Sequence, residues 1–371
     1  MKNKIAKLIR PECKNFQPYI AGKPIEVVQK ELHRKLVYKL ASNESPYGPC
    51  PEVRRQIKND LKNIHLYPDS DSLFLRQAIA RKEKIPAQNI IVGAGSDELI
   101  EIIAKTFFNP DDNIIVSEHA FIRYQMAGDL MGSQVKPVPM KNYRHNLVAM
   151  ANAVDKKTKA VFIANPNNPT GTYNSKSELK KFLNILKEKN TRPLVIVDEA
   201  YYEYARLQKD YCSAKNFFRI YPYLIILRTF SKAYGLAGIR LGYLLTASTI
   251  ASYLNRVRPP FSVNRLAQTA GIVALSNQKY IQKVCRITED EKRKLYRHLK
   301  NLGMFYLPSA TNFILVKTTP LSGKTVFQRL LRRGIIVRAM DEYKLPQYIR
   351  ITVGKPAENK KLIQELKEVR K

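Results

Sequence analysis

Short runs of apolar residues recur along the first two thirds of the chain, and each is followed by a segment with helical periodicity. The runs are rich in Ile, Val and Leu and show no alternation of polar and apolar positions. Strands of this kind are buried on both faces, as in a parallel sheet whose crossover connections are helices. We therefore predict an α/β layout between about residues 45 and 260, with strands at Asn89–Val92, Asn113–Ser117, Lys159–Ala164, Pro193–Val197 and Leu224–Leu227.

The pattern changes in the last third of the chain. One or two long helices are predicted over 265–302, and further helices at 323–333 and 357–370. Strands are predicted beside them at Asn312–Val316, Gly334–Val337 and Tyr348–Thr352. Such a mixture favours a smaller α+β domain. We therefore predict an N-terminal arm (1–40) that packs on the small domain or on a partner subunit, a large ligand-binding domain (41–260) and a small C-terminal domain (261–371).

The chain is strongly basic. Its 64 Lys and Arg against 31 Asp and Glu give a net charge of +33, which favours nucleic-acid binding because these side chains neutralise phosphates. However, the basic residues are spread over helical faces such as Ser177–Asn190, and no zinc-finger, RNA-recognition or basic-zipper pattern accompanies them. We expect no specific nucleic-acid partner, and only a non-specific attraction to polyanions.

Cysteine, histidine and hydropathy patterns exclude several other classes. The four cysteines are far apart and form no CxxC pair, which is typical of reduced thiols. The five histidines have no metal-ligand spacing, so no metal site is expected. The N-terminal segment is not a signal peptide, and no apolar run reaches about 18 residues. We predict a soluble, cytoplasmic protein with no membrane partner.

Two loops follow predicted strands and carry candidate ligand groups. In Val92–Glu98 (VGAGSDE) a glycine turn leads into a helix, whose exposed N–H groups and positive end favour a phosphate. Asp97 could instead be a first-turn acid that only stabilises the helix. Ala164–Gly171 (ANPNNPTG) is either a simple turn or a ligand loop at the carboxyl end of a buried strand. In the second case the Asn168 side-chain amide would donate a hydrogen bond to an oxygen on the ring of the bound ligand.

A third motif, Leu194–Tyr202 (LVIVDEAYY), ends an apolar strand with a carboxylate. Burying Asp198 is costly unless a cation or donor meets it. The protonated pyridine nitrogen of a bound ligand would be such a partner. Tyr201 would then reach the neighbouring phenolic oxygen of the same ligand. A structural ion pair with Lys or Arg is the alternative.

The fourth motif is Thr229–Tyr243 (TFSKAYGLAGIRLGY), in which Lys232 lies among small, aromatic and glycine residues. A lysine that forms a Schiff base needs a partly desolvated pocket, because desolvation lowers its pKa. Ser231 and Arg240 are residue types that bind phosphate, and the glycines allow close backbone approach. The four motifs together predict one ligand site at the strand ends.

In this order the motifs resemble those of the fold type I pyridoxal-5′-phosphate aminotransferases, and most closely those of the histidinol-phosphate aminotransferases. The resemblance covers nearly the whole chain, from Leu40–Pro49 (LASNESPYGP) through LYPDSDS and the four motifs to Tyr348–Gly354 (YIRITVG). It implies a large domain with a mostly parallel seven-stranded sheet between helices, a smaller α+β domain, pyridoxal 5′-phosphate as cofactor, and a homodimer.

The resemblance also implies a role for each matching residue around the cofactor. Lys232 would form the Schiff base and carry the proton, while Asp198 would pair with the pyridinium nitrogen. Asn168 and Tyr201 would hold the phenolic oxygen. Phe121 stands where the family often has a stacking Tyr, so it would stack on the ring without offering a hydroxyl. The cofactor phosphate would be held by Gly95, Ser96, Asp97, Ser231 and Arg240, together with Tyr67 from the partner subunit.

For the substrate, the resemblance implies that Arg350 binds the α-carboxylate of glutamate or 2-oxoglutarate and, alternately, the phosphate of histidinol phosphate. Arg338, Tyr19 and Asn43 are further implied substrate contacts. The implied reaction is the reversible transamination of L-histidinol phosphate with 2-oxoglutarate, which gives imidazole acetol phosphate and glutamate in histidine biosynthesis.

Three other functions stay open at this point. An aromatic or broad-range aminotransferase would use the same machinery, and a decarboxylase of the threonine-phosphate type would share the scaffold. A basic polyanion-binding protein on a degenerate scaffold is disfavoured, because it would have no need to keep Lys232, Asp198 and Arg240 together.

Overall fold

The structure is a computed structural model that describes residues 5, 7–14, 16–19 and 22–370. Part of the predicted arm (1–40) therefore lies outside the described residues. The strands are β1 Tyr38–Lys39, β2 Ile90–Gly93, β3 Asn113–Ser117, β4 Gln134–Val138, β5 Thr158–Ala164, β6 Leu194–Asp198, β7 Leu224–Thr229, β8 Gly242–Thr246, β9 Phe313–Lys317, β10 Ile335–Ile336, β11 Arg338–Ala339 and β12 Tyr348–Thr352.

The α-helices of the described residues are α1 Pro11–Lys14, α2 Ile25–Glu31, α3 Pro51–Asp60, α4 Leu73–Glu83, α5 Ser96–Phe107, α6 Ile122–Leu130, α7 Leu147–Asn152, α8 Lys176–Glu188, α9 Tyr202–Ala205, α10 Ser248–Val257, α11 Arg265–Ser276, α12 Gln278–Asn301, α13 Gly323–Arg332 and α14 Pro356–Arg370. None of the helices in this part of the chain is long and apolar enough to cross a membrane.

The central element is a seven-stranded sheet with the order β2-β8-β7-β6-β5-β3-β4. All neighbouring strands are parallel except β8, which runs antiparallel to both β2 and β7. The mostly parallel seven-stranded sheet predicted above is therefore confirmed. Because β2 runs in the same direction as β5, β6 and β7, the carboxyl ends of these four strands meet at one edge.

Continuous apolar strands fit this sheet because both of its faces are covered. Along β6, Val195 and Val197 pack into one core with α3, α4, α8 and α11, while Leu194 and Ile196 pack into a second core with α5, α6 and α10. No position of the strand faces water, so no polar alternation is needed.

A three-stranded antiparallel sheet, β11-β12-β9, forms the centre of the C-terminal part. It packs with α12, α13 and α14 around a separate core. The short strand β1 pairs in parallel with β10, so the segment before residue 40 joins the C-terminal part. The boundaries at residues 40 and 260 remain a proposal.

Two strands of the large sheet were not predicted. β4 is an edge strand whose residues are mostly exposed or half-buried and include Pro137, which is a position where sheets tolerate proline and polarity. β8 begins inside the stretch interpreted as a ligand loop, Thr229–Tyr243, at Gly242. β4 therefore lacks the apolar run that identified the other strands, whereas β8 carries one, Tyr243–Leu245, which the loop interpretation left unassigned.

Candidate active site

A cavity of about 540 Å³ opens at the carboxyl ends of β5, β6 and β7 and is closed on the other side by β11, β12 and the turn after β11. Ligands bind at this edge in open α/β sheets. The cavity is lined by all the predicted site residues except Gly95 and Tyr67, namely Tyr19, Asn43, Ser96, Asp97, Phe121, Asn168, Asp198, Tyr201, Ser231, Lys232, Arg240, Arg338 and Arg350.

Asp198 is the last residue of β6, and its carboxylate is buried. One oxygen accepts a hydrogen bond from the Tyr124 hydroxyl at 2.7 Å and the other from the Ala200 backbone N–H at 3.0 Å. Burial raises the pKa of Asp198 to about 6, and the two donors oppose that rise. Among the described residues no Lys, Arg or His nitrogen lies within ion-pair distance of this carboxylate, so the structural ion pair considered above has no partner there.

Glu199, the residue after Asp198, holds the end of β6 in place through buried polar contacts. Glu199 is fully buried and accepts hydrogen bonds from the Ala214 backbone N–H at 2.7 Å and from the Ser213 hydroxyl at 2.9 Å. Its carboxylate also forms an ion pair with buried Arg228 of β7 at 2.6 Å. This network ties the end of β6 to the neighbouring strand, so Asp198 is held on rigid elements.

Lys232 follows β7 and directs its amine into the cavity. The Nζ atom donates to the Ser42 carbonyl at 3.2 Å and lies 5.8 Å from the centre of the Tyr201 ring. Desolvation, aided by the positive charge of Arg350, lowers the pKa of Lys232 to about 8. A sizeable neutral fraction near pH 8 suits the amine to act as a nucleophile.

The predicted phosphate-binding residues are brought together at the N-terminus of α5. Arg240 donates to the Ser231 hydroxyl at 3.3 Å, and its other terminal nitrogen lies 3.5 Å from Asp97. Gly95 has a φ of +89°, and a Cβ atom at this position would lie 2.4 Å from the Arg240 guanidinium. Gly95 does not line the cavity itself, but only a glycine leaves room for Arg240 beside the first turn of the helix.

Tyr201, Asn43 and Asn168 form the wall near Lys232. The Tyr201 hydroxyl accepts a hydrogen bond from the Asn43 amide at 2.9 Å, and burial raises the pKa of Tyr201 to about 12. The Asn43 backbone N–H donates to Thr352 of β12. Asn168 accepts a hydrogen bond from Arg350 through its amide oxygen, so its NH2 group points away from the arginine.

Two arginines of the small sheet lie next to each other in the cavity lining. Arg338 of β11 and Arg350 of β12 are directly paired in the antiparallel register, an arrangement that is unfavourable for like charges. Arg350 donates to the Ala41 carbonyl at 2.8 Å, and its buried Nε atom has no hydrogen-bond partner among the described residues. Glu342 offsets the charge of Arg338 at 2.6 Å, and an anion bound at Arg350 would supply the acceptor that its Nε atom lacks.

Two predicted ligand residues need separate mention. Phe121 lines the cavity and contacts Tyr124 edge to face. Tyr67 is 80% exposed and packs against Phe261, with the ring centres 4.8 Å apart. It lies outside the cavity of its own chain, and its contact with a partner subunit's site stays a prediction.

Further residues line the cavity and were not predicted, among them Arg123, Tyr124, Glu342 and Tyr343. Tyr124 follows Phe121 by one helical turn and therefore faces the same way, a spacing that could have identified it. Glu342 follows Arg338 by four residues, but the turn that brings the two together has no helical signature in the sequence.

The fold and the site together define a fold type I aminotransferase. The family model for class I and II aminotransferases matches residues 35–366. A structure of histidinol-phosphate aminotransferase from Sinorhizobium meliloti in complex with pyridoxal-5′-phosphate superposes with a TM-score of 0.87 at 28% identity, covering 98% of this chain and 97% of that one. Thermus thermophilus aspartate aminotransferase, at 19% identity and a TM-score of 0.83, shares the fold.

Curated relatives narrow the assignment. Histidinol-phosphate aminotransferase 2 of Carboxydothermus hydrogenoformans is 42% identical over 362 residues, which is 98% of this chain and 99% of the relative. Histidinol-phosphate aminotransferase of Caldicellulosiruptor saccharolyticus is 40% identical over 98% of this chain and its own full length. The chain belongs to the class I and II aminotransferases and, within them, to the histidinol-phosphate aminotransferase family.

Proposed function

We propose that this chain is a pyridoxal-phosphate-dependent transaminase that exchanges the amino group between L-histidinol phosphate and 2-oxoglutarate. The observation that carries the substrate assignment is the paired arginines Arg338 and Arg350, which line the same cavity as Lys232. Both proposed substrates bring an anionic group, a phosphate or a carboxylate, and one arginine pair suits either anion. The names and near-complete coverage of the relatives support the same reaction.

The residues present fit pyridoxal phosphate. The first turn of α5, Ser231 and Arg240 offer donors for a phosphate, and Gly95 leaves the room that the Arg240 guanidinium occupies beside that turn. A buried carboxylate, Asp198, would pair with a ring cation, while Phe121 offers an aromatic face. When bound, the cofactor supplies an aldehyde that carries the amino group and a protonated ring that accepts electron density.

The protein's own groups would then hold the reactants and move a proton. Asp198, fixed by Tyr124 and Ala200, is ionised near neutral pH and would keep the facing ring nitrogen protonated. Lys232 would hold the cofactor and, once released, carry the proton at the substrate α-carbon, since its lowered pKa lets it both accept and donate near pH 8. Tyr201 and Asn168 would orient the phenolic oxygen.

We also propose that the active enzyme is a homodimer. Several large apolar side chains are exposed in one stretch of the chain, including Ile64 (64%), Tyr67 (80%) and Phe74 (69%), and Phe261 packs against Tyr67. A concentration of large exposed apolar side chains is typical of an interface. A partner's Tyr67 would complete the phosphate site.

A complementation experiment tests the shared site. Lys232→Ala and Tyr67→Ala are each expected to lower activity as homodimers. A mixed dimer holds one site in which Lys232 and the partner's Tyr67 are both intact, so mixing the two variants after mild dissociation should restore activity. An ultracentrifuge profile of monomers, or no recovery on mixing, would contradict the dimeric site.

The reaction is tested with purified, cofactor-loaded protein. Histidinol phosphate, phenylalanine and tyrosine are compared as amino donors to 2-oxoglutarate, with glutamate as the measured product. We expect the highest kcat/KM for histidinol phosphate, and no turnover in Lys232→Ala. Borohydride reduction followed by peptide mapping should label Lys232. A label on another lysine would contradict its role, and CO2 release without an acceptor would favour a decarboxylase.

A further inference from the structure

A carboxylate occupies the substrate end of the cavity. Glu342 lies on the short 3₁₀ turn Asp341–Tyr343 that follows β11, and it lines the cavity together with Arg338. One of its oxygens accepts hydrogen bonds from Arg338 at 2.6 Å, from Nη2, and at 3.2 Å, from Nε. The two side chains are 20% and 14% exposed, respectively, so water screens this ion pair only in part.

This contact changes the charge that a substrate meets. Arg338 and Arg350 face each other across β11 and β12, and Glu342 balances one of the two positive charges. Glu342 provides a hydrogen-bond acceptor for Arg338. The Nε atom of Arg350, in contrast, is buried and has no hydrogen-bond partner among the described residues. A phosphate has enough oxygens to meet both guanidiniums, which a single glutamate oxygen on Arg338 does not.

We propose that Glu342 is an internal counter-ion that sets the substrate preference of this site. It stays on Arg338 when the anionic group of the substrate is a carboxylate, which Arg350 can bind alone, and it is displaced when that group is a phosphate. The inference rests on the proposed function and specifies how the site distinguishes the anionic groups of its substrates. The enzyme therefore accepts aromatic amino acids as well as phosphate esters, because Glu342 balances the charge of Arg338 when a carboxylate binds to Arg350 alone.

The position of Glu342 permits the exchange. It extends from a turn at the rim of the cavity rather than from a core strand, and it retains some contact with solvent. Swinging the carboxylate towards water therefore costs little backbone rearrangement. The next residue, Tyr343, is buried and anchors the turn, so the movement is confined to one side chain.

The test compares Glu342→Gln with a matched control, Asp341→Asn, in the cofactor-loaded enzyme. Both substitutions remove one negative charge from the same turn, but Asp341 is exposed and does not line the cavity. Glu342→Gln should lower the KM for histidinol phosphate about tenfold, because the phosphate no longer competes with a charged hydrogen-bond partner for Arg338. The KM for phenylalanine should stay the same or rise. Asp341→Asn should change neither KM more than about twofold.

Calorimetric titration with inorganic phosphate supplies a readout that does not depend on turnover. Glu342→Gln should tighten phosphate binding about tenfold, and Asp341→Asn should leave it unchanged. Equal effects of the two variants, or weaker phosphate binding in Glu342→Gln, would overturn the proposal. If the wild-type enzyme does not turn over histidinol phosphate, the proposed function fails, but the phosphate titration and the phenylalanine KM still decide the role of Glu342.

Discussion

Replacing Tyr124 with Phe removes one hydroxyl from the buried face of the site and leaves the ring in place. That hydroxyl donates to Asp198 at 2.7 Å, and the Tyr124 ring stacks on Phe162 with the centres 4.8 Å apart. Phe should preserve the stacking, so the substitution isolates the hydrogen bond. The consequence should appear in the ionisation of Asp198.

The magnitude follows from the chemistry of the acceptor. A hydrogen bond to a charged group contributes about 1.5–3 kcal/mol, which corresponds to about one to two pKa units. The pKa of Asp198, already raised by burial to about 6, should therefore rise to about 7–8 in Tyr124→Phe.

The sign of the stability effect follows from proton binding. Because the folded-state pKa of Asp198 lies above the ~3.9 of an unfolded chain, the folded state binds this proton more tightly. Stability from this group is therefore lost as pH rises from about 4 to about 6, and the loss remains at higher pH. In Tyr124→Phe the loss continues to about pH 8 and becomes about 1.5–3 kcal/mol larger than in the wild type.

Urea unfolding of the cofactor-free protein at about pH 4.5 and pH 8.5 measures the effect. Cofactor is omitted because its binding would add its own stabilisation. The control is Tyr221→Phe, in which a buried hydroxyl is also removed, but its acceptor is the neutral Pro193 carbonyl at 2.6 Å. The control should lose the same stability at both pH values. Equal losses at both pH values in Tyr124→Phe as well would refute the reasoning.

Three further outcomes are expected. Arg228→Met leaves the buried Glu199 carboxylate without its ion-pair partner and should lower the free energy of unfolding by about 3–5 kcal/mol. Arg333→Met removes one side of an exposed ion pair and should lower it by less than about 1 kcal/mol. Similar falls in Tm for the two variants would contradict this dependence on burial. Gly235→Ala should destabilise the protein by about 1–3 kcal/mol in denaturant titrations, because φ is +69° and the new Cβ would clash with the backbone carbonyl of Gly48. Gly238→Ala is the control and should not destabilise the protein, because open space surrounds that position. The rate of cofactor attachment to the cofactor-free protein, followed by absorbance, should rise with pH and reach half its maximum near pH 8, the lowered pKa of Lys232; a midpoint above about pH 10 would indicate an ordinary lysine.

The sequence by itself determined the elements whose burial is uniform. Segments such as Leu194–Val197 and Leu224–Leu227 are apolar at every position, because both faces of the sheet are covered, and this pattern is visible locally. It also determined most of the site. Asp198, Lys232 and Arg240 each stand in a short motif, and parallel strands bring their carboxyl ends to one edge whatever the details of packing.

Only the tertiary structure decided which groups modify these residues. Tyr124 meets Asp198 across 74 positions of sequence, and Arg338 meets Arg350 through an antiparallel register that no local pattern specifies. Glu342 reaches Arg338 because a turn after a two-residue strand directs it into the cavity. Short motifs contain the residue types that the chemistry needs. The pKa of Asp198 and the charge at the substrate end of the cavity instead depend on burial and on residues from distant parts of the chain.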